Sequence, residues 1–381
     1  MDKTLSVFYC SLARHGSPAA NAIQTSHMGN AFAQWVGSVC MVMRAGDPKT
    51  SPIPQLTNCE VHILPTGYWR ISTWLYSVRA FNLYRKLSTS CRFDLVFTRS
   101  LIFCLLVALV RQKPLALELH TGIRSSADRL IFRFLCRQGV HFVCITESIA
   151  HELRAALHGY TRVHVAPDGH NFPIVEQTDV GPSLRTPMRV GYFGSLTRQK
   201  GLDILQSLVD TVQDFEFHIF SKETSALRPS PALKSYCYLK PMEVYEKMLE
   251  MDAFLLTVVP QEKNDSISEY TSPLKLYEYL AAGRPILVSD LPVLREDVDE
   301  ESVFFCQNSF QDFARTLVEI SSNRDGARAK ALRGLSLARE RTWYLRARQI
   351  IEACGIEIHA PKFPPAADLN PSSSITQSDL P

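Results

Sequence analysis

Short apolar runs alternate with amphipathic stretches along most of the 381 residues, and the rhythm stops once and restarts. Parallel α/β sheets impose that pattern, because each strand is buried on both faces and must be followed by a crossover helix. Strands are expected at 5–12, 37–44, 61–66, 94–98, 115–120, 141–146 and 163–167, with helices over 20–36, 70–88, 101–110, 126–138 and 148–158. The polar, proline-bearing segment EQTDVGPSLRTP then breaks the alternation, which resumes at Met188 with RVGYFGSL. Further strands follow at 188–194, 215–220, 253–258 and 286–289, with helices at 201–213 and 241–250 and one more between residues 270 and 285. The chain therefore divides into two doubly wound, Rossmann-like α/β domains, 1–176 and 188–326, joined by a linker at 177–187. An amphipathic helical segment, 327–356, comes next, and the proline-, serine- and aspartate-rich residues 357–381 are expected to be a disordered tail. Two such domains facing each other leave a cleft, and ligands bind at the carboxyl ends of the strands.

The stretch YTSPLKLYEYLAAGRPILVSDL, 270–291, specifies one helix at both ends. Ser272 suits the N-cap, Pro273 the first helical position, Gly283 the residue after the helix, and Pro285 prevents continuation. Lys275 then falls in the first turn, where the helix dipole favours negative charge. A bound anion resolves the conflict: the backbone N–H groups of 273–275, the dipole and the Lys275 ammonium form a phosphate seat, and Glu278 one turn on accepts from a ribose. Taken alone, the residues fit a surface lysine and glutamate on an amphipathic helix equally well.

Glu278 followed by YLAAGRPILVSD closely resembles the second half of a motif of the family 4 retaining glycosyltransferases, which use nucleotide sugars and have the GT-B fold. In that family a first glutamate precedes the second by eight places. Here Tyr270 occupies it, as in a branch that reads SPLKLxEY. The resemblance implies that Ser272, Pro273, Leu274, Lys275 and Glu278 contact a nucleotide-sugar donor. It also implies a C-terminal helix crossing back to the first domain. The turn GSLTRQKG follows a strand and opens a helix, so its glycines admit a diphosphate. As a bare pattern it is more often structural. The family has a basic residue just after the first glycine and a lysine before the second, so the resemblance assigns Gly194, Ser195, Arg198 and Lys200 to the donor. Lys200 matches the lysine, while Ser195 stands where an arginine is usual.

His120 ends the strand LALELH, where a histidine is more often a packing residue than a catalyst. The resemblance, which places a histidine near the donor sugar at such a strand end, makes it the best candidate of the first domain. Glu147 and Asp168 occupy corresponding strand ends and serve equally well as cap or turn residues. The segment ARHGSPAANAIQTSH reads as a long polar loop at the expected acceptor side, with Arg14, His15, Asn21 and His27 as contacts and a plain surface loop as the simpler reading. Catalysis would then fall to His120, Lys200 and Lys275, the lysines stabilising charge on the leaving diphosphate. No metal or organic cofactor is demanded, because lysines and helix dipole do the work of a cation.

Ten cysteines without paired metal-ligand spacing, mostly in apolar runs, read as reduced core residues and point to the cytoplasm. The N-terminus lacks a secretory signal pattern, and the longest apolar run, Leu101 to Val110, is far short of the ~20 residues needed to span a bilayer. Charge is uneven: residues 1–180 hold 18 Lys and Arg against 11 Asp and Glu, the remainder 23 against 27. Arg129, Arg133 and Arg137, and Arg79, Arg85 and Lys86, lie among aromatic and aliphatic residues. That surface suits an anionic membrane or a lipid-linked or sugar acceptor, and equally an ordinary solvated helix face. No recognition motif for nucleic acid accompanies it. The expected activity is sugar transfer to a hydroxyl acceptor in polysaccharide or glycolipid assembly. A nucleotide-sugar epimerase or hydrolase of the same fold, or a catalytically silent nucleotide-binding partner, would share the phosphate seat.

Overall fold

The computed structural model describes residues 5–17, 19–46, 56–65, 72–110, 114–123, 125–237, 239, 241–260 and 274–358. The first half builds a seven-stranded sheet from β1 (Ser6–Arg14), β2 (Ser38–Arg44), β3 (Cys59–Leu64), β4 (Leu95–Thr98), β5 (Leu115–Leu119), β6 (His141–Cys144) and β7 (Val163–Val165). Every pairing is parallel and the order is β3-β2-β1-β4-β5-β6-β7. Strands such as LVFT and LALEL are buried throughout, as a sheet covered on both faces requires. The helices of this half are α1 (Ala20–Trp35), α2 (Ser72–Leu87), α3 (Leu101–Leu109), α4 (Ser126–Arg137) and α5 (Glu147–Ala156). Side chains of α2, α3, α4 and α5 pack on one face around Phe8, Val42, Val96, Leu117 and Phe142. Ser100, Ser125 and Thr146 cap α3, α4 and α5 by accepting from the third N–H beyond them.

The second sheet holds β8 (Met188–Phe193), β9 (Phe215–Phe220), β10 (Leu233–Tyr236), β11 (Ala253–Leu256), β12 (Ile286–Ser289) and β13 (Phe304–Cys306), in the order β10-β9-β8-β11-β12-β13. Around it lie α6 (Leu202–Thr211), α7 (Pro241–Leu249), α8 (Leu274–Ala281), α9 (Phe310–Ser322) and α10 (Arg324–Glu340), followed by α11 (Trp343–Ala353). The two doubly wound sheets expected from the sequence are both present, each parallel throughout. Two short strands, β10 and β13, and the helix α9 went unread. β10 has no apolar run, and β13 is only three residues long.

Three further differences matter for the site. The acceptor loop expected through residue 27 is short, because the helix expected over 20–36 begins at Ala20 as α1, so Asn21 and His27 are helical. The amphipathic segment after residue 327 is two helices, not one. The first, α10, packs through Ala331, Leu335 and Ala338 on the second domain and on Val180. The chain then turns at Arg341–Thr342, where Thr342 caps α11 and pairs with His170. Only α11 crosses back, burying Trp343, Ala347, Ile350 and Ile351 beside α1 against the other face of the first sheet. The linker is pinned to the second domain: Asp252 accepts from the N–H groups of Ser183 and Arg189 at 2.9 and 2.8 Å, and Gly181 N–H donates to Gly283 O.

Candidate functional site

In both sheets the winding direction reverses between two neighbouring strands, β1 and β4 in the first and β8 and β11 in the second. Loops leave such a pair in opposite directions and open a crevice at the carboxyl edge, where open α/β sheets bind ligands. At the first crevice stand Arg14, the last residue of β1, His15 just after it, and Arg99 after β4. His120 follows β5 and Asp168 follows β7.

Arg99, His120 and Asp168 meet Glu118 and Arg346 in a buried ionic cluster. Glu118, inside the apolar strand β5, is 5 % exposed, Asp168 1 % and Arg346, from α11, 3 %. Glu118 Oε1 lies 2.8 Å from His120 Nε2, 3.3 Å from Arg346 Nη2 and 3.9 Å from Arg99 Nε. Arg99 Nη2 approaches His120 Nε2 at 2.6 Å and donates to Gln24 Oε1, while its Nη1 donates to Asn21 O and Thr25 Oγ1. Arg346 Nε donates to Ala166 O at 3.0 Å, and its Nη2 lies 3.9 Å from Asp168 Oδ1. Gln24 donates to the other Asp168 oxygen at 2.5 Å. Nε2 can serve only one of these neighbours: protonated, it donates to Glu118 Oε1, and Arg99 Nη2 is then left with Nδ1, 3.4 Å away, as its acceptor on the ring. Its side chain is the partly exposed member, at 29 %.

Burial alone would raise both carboxyl pKa values, because a charge in a low-dielectric interior is poorly solvated. For Glu118 the guanidiniums of Arg346 and Arg99 and the His120 bond more than reverse that, and the group is held well below the ordinary carboxylate range. Burial dominates at Asp168, whose pKa is raised despite Arg346 and His120. Burial also opposes the charge on Arg99, and Glu118, Tyr9 and Asp168 together outweigh it and raise the Arg99 pKa.

Sequence reading found His120 and Asp168 and missed Glu118, Arg99 and Arg346. A signal existed for two of them. Glu118 interrupts an apolar strand, and Arg346 occupies the apolar stripe Trp343-Arg346-Ala347-Ile350 of α11, so each needed a buried partner. The four residues expected to meet an acceptor do not sit together. Arg14 is exposed and His15 half-buried at the end of β1, and Asn21 offers its carbonyl to Arg99. His27 faces away from open loop space: its ring stacks on Trp343, its Nδ1 is 2.8 Å from Asn171 Nδ2, and burial pushes its pKa down to about 4. A neutral His27 thus helps hold α11 against α1. Glu147 opens α5 and pairs with Arg154 at 2.5 Å.

At the second crevice, Gly194 follows β8, Ser195 and Arg198 are exposed, and residues Arg198–Lys200 form one 3-10 turn that ends at Gly201. Gly201 has φ +74°, and a Cβ there would sit 2.6 Å from Thr257 Cβ. That closeness ties the turn to the loop after β11, reinforced by Thr257 Oγ1 donating to Lys200 O and Val259 N–H to Gln199 O. Ser272 and Pro273, the expected cap of α8, and Tyr270 lie outside the described residues. Leu274 begins the helix and packs on the first domain's core, so the amino end of α8 faces that domain. Lys275 Nζ bonds Glu278 Oε2 at 2.6 Å. The two groups expected to hold different parts of a ligand thus pair with each other. Burial lowers the pKa of His170, the residue paired with Thr342, and Glu278 offsets that only in part.

The domains touch directly through Glu296. Its carboxylate accepts from the N–H groups of Glu147 at 2.6 Å and Ser148 at 3.0 Å and from the Ser148 hydroxyl. A carboxylate of one domain therefore caps the positive end of a helix in the other. Next to it begins an Asp-x-Asp triplet, but both aspartates are engaged. Ser302 bonds the Asp299 backbone on its own turn and lowers the carboxyl pKa, Asp299 Oδ2 lies 3.9 Å from Arg333 Nη2, and buried Asp297 accepts from Tyr277 OH at 2.7 Å. Burial raises the Asp297 pKa from 3.8 to about 6. The folded state thus holds this proton more tightly than the unfolded chain, so stability should fall as pH rises from about 4 to about 6 and stay lower above it. Asp297→Asn should remove that dependence and stabilise the protein at pH 7.5 by roughly 2–3 kcal/mol. Melting temperatures of both forms across this range check it, and parallel curves would assign Asp297 an ordinary pKa.

Two family models match the chain: Glycosyltransferase Family 4 over residues 27–172 and Glycosyl transferases group 1 over residues 187–323. The chain belongs to the family 4 glycosyltransferases. No match is found among curated proteins. Solved structures share the GT-B fold of this glycosyltransferase at low identity. Sucrose-phosphate synthase from Thermosynechococcus elongatus is 13% identical, with a TM-score of 0.66 over 91% of this chain and 98% of that one. HepE of Anabaena in complex with UDP is 12% identical, with a TM-score of 0.66 over 92% and 100%. The lipopolysaccharide outer core galactosyltransferase WaaB is 14% identical, with a TM-score of 0.64 over 92% and 99%. In the glycosyltransferase described here, no helix among the described residues is long and apolar enough to cross a membrane.

Proposed function

We propose that this glycosyltransferase takes a sugar from a nucleotide diphosphate sugar and passes it to a hydroxyl acceptor with retention at the anomeric carbon. The observation that carries the reading is Lys275 in the first turn of α8, at the crevice of the second sheet and facing the first domain. The diphosphate would take Glu278's place beside Lys275, with Lys200 and the α8 amides adding positive potential, and Glu278 would turn to the ribose. Bond breaking puts negative charge on the diphosphate, and preorganised positive groups stabilise that charge without a metal or other cofactor. His120, bonded to Glu118 at the edge of the first crevice, would be the group of the first domain that meets the sugar. HepE, of the same fold, holds UDP, and in a second structure UDP and glucose, which supports a nucleotide-sugar donor here.

A thermal-shift screen against UDP, GDP, ADP, dTDP and their sugar conjugates tests the donor. A selective ligand at a hundredfold excess over its dissociation constant should stabilise the protein by about 2.7 kcal/mol. If none of the nucleotides moves the melting temperature of well-folded protein, the phosphate seat is wrong. Transfer of the sugar from the selected donor separates an enzyme from a silent partner.

The acceptor reading rests on the first domain's outer face. Trp74, Leu109 and Leu130 are exposed there on α2, α3 and α4, among exposed Arg79, Arg85, Lys86, Arg129, Arg133 and Arg137. Aromatic and aliphatic side chains ringed by cations fit an anionic lipid surface, where a lipid-linked acceptor of polysaccharide or glycolipid assembly resides, on the cytoplasmic side. The protein should co-sediment with phosphatidylglycerol vesicles and be released by salt. Equal recovery with neutral phosphatidylcholine vesicles would contradict it.

A further inference from the structure

The edge of the first sheet carries a polar group that the transfer reaction does not use. Cys40 on β2 pairs in register with Glu60 on β3, and Val42 with His62. Because side chains alternate with period two, Cys40, Glu60 and His62 project from the same face of the sheet. On this face β2 contributes Cys40 and Val42 to the apolar core beneath α2 and α3. An acid and a histidine on the adjoining strand are out of place there unless something holds them.

Cys40 Sγ, a Glu60 carboxylate oxygen and a His62 ring nitrogen all lie within 4.8 Å of one another. His62 Nε2 is 2.9 Å from Glu60 Oε1, yet it is shut off from solvent and makes no hydrogen bond of acceptable geometry. We propose that Cys40, Glu60 and His62 form a binding site for one divalent cation of the zinc class. One sulfur, one imidazole and one carboxylate are the donor set such a borderline-soft ion takes. Bond lengths of about 2.0–2.3 Å separate tetrahedral donors by about 3.3–3.8 Å, so the three atoms converge on an ion with small side-chain rotations. Glu60 is 67 % exposed on its side chain, which leaves the fourth position to water.

The charges balance. Thiolate and carboxylate together neutralise the dication, and the imidazole binds in its neutral form. An ordinary thiol has a pKa of about 8.5, so without metal the sulfur keeps its proton. Binding forms the metal–sulfur bond and releases that proton to solvent. The site lies near the amino end of β2, away from the carboxyl edge where the crevice opens. Its role is to tie edge strand β3 to β2, and sugar transfer itself does not depend on it.

Titration of the reduced, chelator-stripped full chain with Co2+ tests the assignment. One equivalent should produce a near-ultraviolet thiolate-to-cobalt band with intense four-coordinate visible bands. Zn2+ should displace them, and calorimetry in two buffers should show about one proton released per ion. Cys40→Val and His62→Phe should each abolish the bands while circular dichroism stays native, and Glu60→Gln should weaken binding at least tenfold. Cys91→Ala, which removes the exposed neighbouring thiol, should keep them. Zn2+ should raise the melting temperature of the parent chain but not of His62→Phe. Absence of the bands at one equivalent, their survival in Cys40→Val, or their loss in Cys91→Ala would overturn the site.

Discussion

Replacing Arg346 by methionine should destabilise the protein by about 3–5 kcal/mol, the cost of removing one partner from a buried ion pair. Methionine keeps the length and apolar stem of the side chain, so packing beside Trp343 changes little. The loss falls on Glu118 and Asp168, which are both buried and both lie within 4 Å of the guanidinium. The pH dependence identifies the cause. Glu118 has a depressed pKa in the folded state, so its contribution is present above the ordinary carboxylate pKa of about 4.3 and is lost as pH falls through the lower folded value. Without Arg346 that folded value rises, and acid unfolding should begin at a higher pH. Denaturant titrations from pH 3 to 7 measure both effects. Adding Glu118→Gln to Arg346→Met should restore part of the stability, because the orphaned charge is gone. If the double variant is as unstable as the sum of the single ones, packing and not charge pairing is what Arg346 supplies. Since α11 carries Arg346 across from the second domain, loss of this pair should also loosen the seat of His120 and lower the transfer rate.

Lys275→Ala should lower the transfer rate about 10²–10³-fold, the usual loss when one preorganised group facing developing negative charge is removed. The same variant frees Glu278, whose carboxylate now bonds the lysine at 2.6 Å, to repel an incoming diphosphate. Nucleoside diphosphate affinity should therefore fall as well, by roughly 1.5–3 kcal/mol for a charge-assisted contact. Calorimetry with the nucleotide selected in the thermal screen and initial rates with its sugar conjugate separate the two losses. Native affinity together with a native rate would remove Lys275 from the site. Stability should change little, because a partly exposed pair within one turn contributes only a few tenths of a kcal/mol.

The alternation of apolar runs was enough to specify two parallel sheets, because a strand covered on both faces must be continuous in hydrophobicity and must be followed by a crossover. α8 was legible for a similar reason: Gly283 at φ +63° and Pro285 stop a helix by local sterics alone. Lys275 and Glu278 stood out because a cation in the first turn of a helix conflicts with the dipole, a conflict visible in sequence. Local rules reached less far in the C-terminal stretch. One amphipathic period runs through 327–356, and only packing on two different domains shows that α10 and α11 are separate helices.

The ionic cluster lies at the limit of that kind of reading. Sequence determined that Glu118 sits in a buried strand and that Arg346 occupies an apolar stripe, so each had to find an opposite charge, since an unpaired buried charge is far too costly to keep. Which partner it found was settled by tertiary structure alone. Glu118 and Arg346 are separated by 228 residues and meet because α11 returns to the first domain. Glu296 and the amino end of α5 meet across 149 residues in the same way. Chain-local chemistry decides what a segment becomes and what its charges require, whereas contacts between distant segments depend on how whole domains pack, and no local pattern encodes that packing.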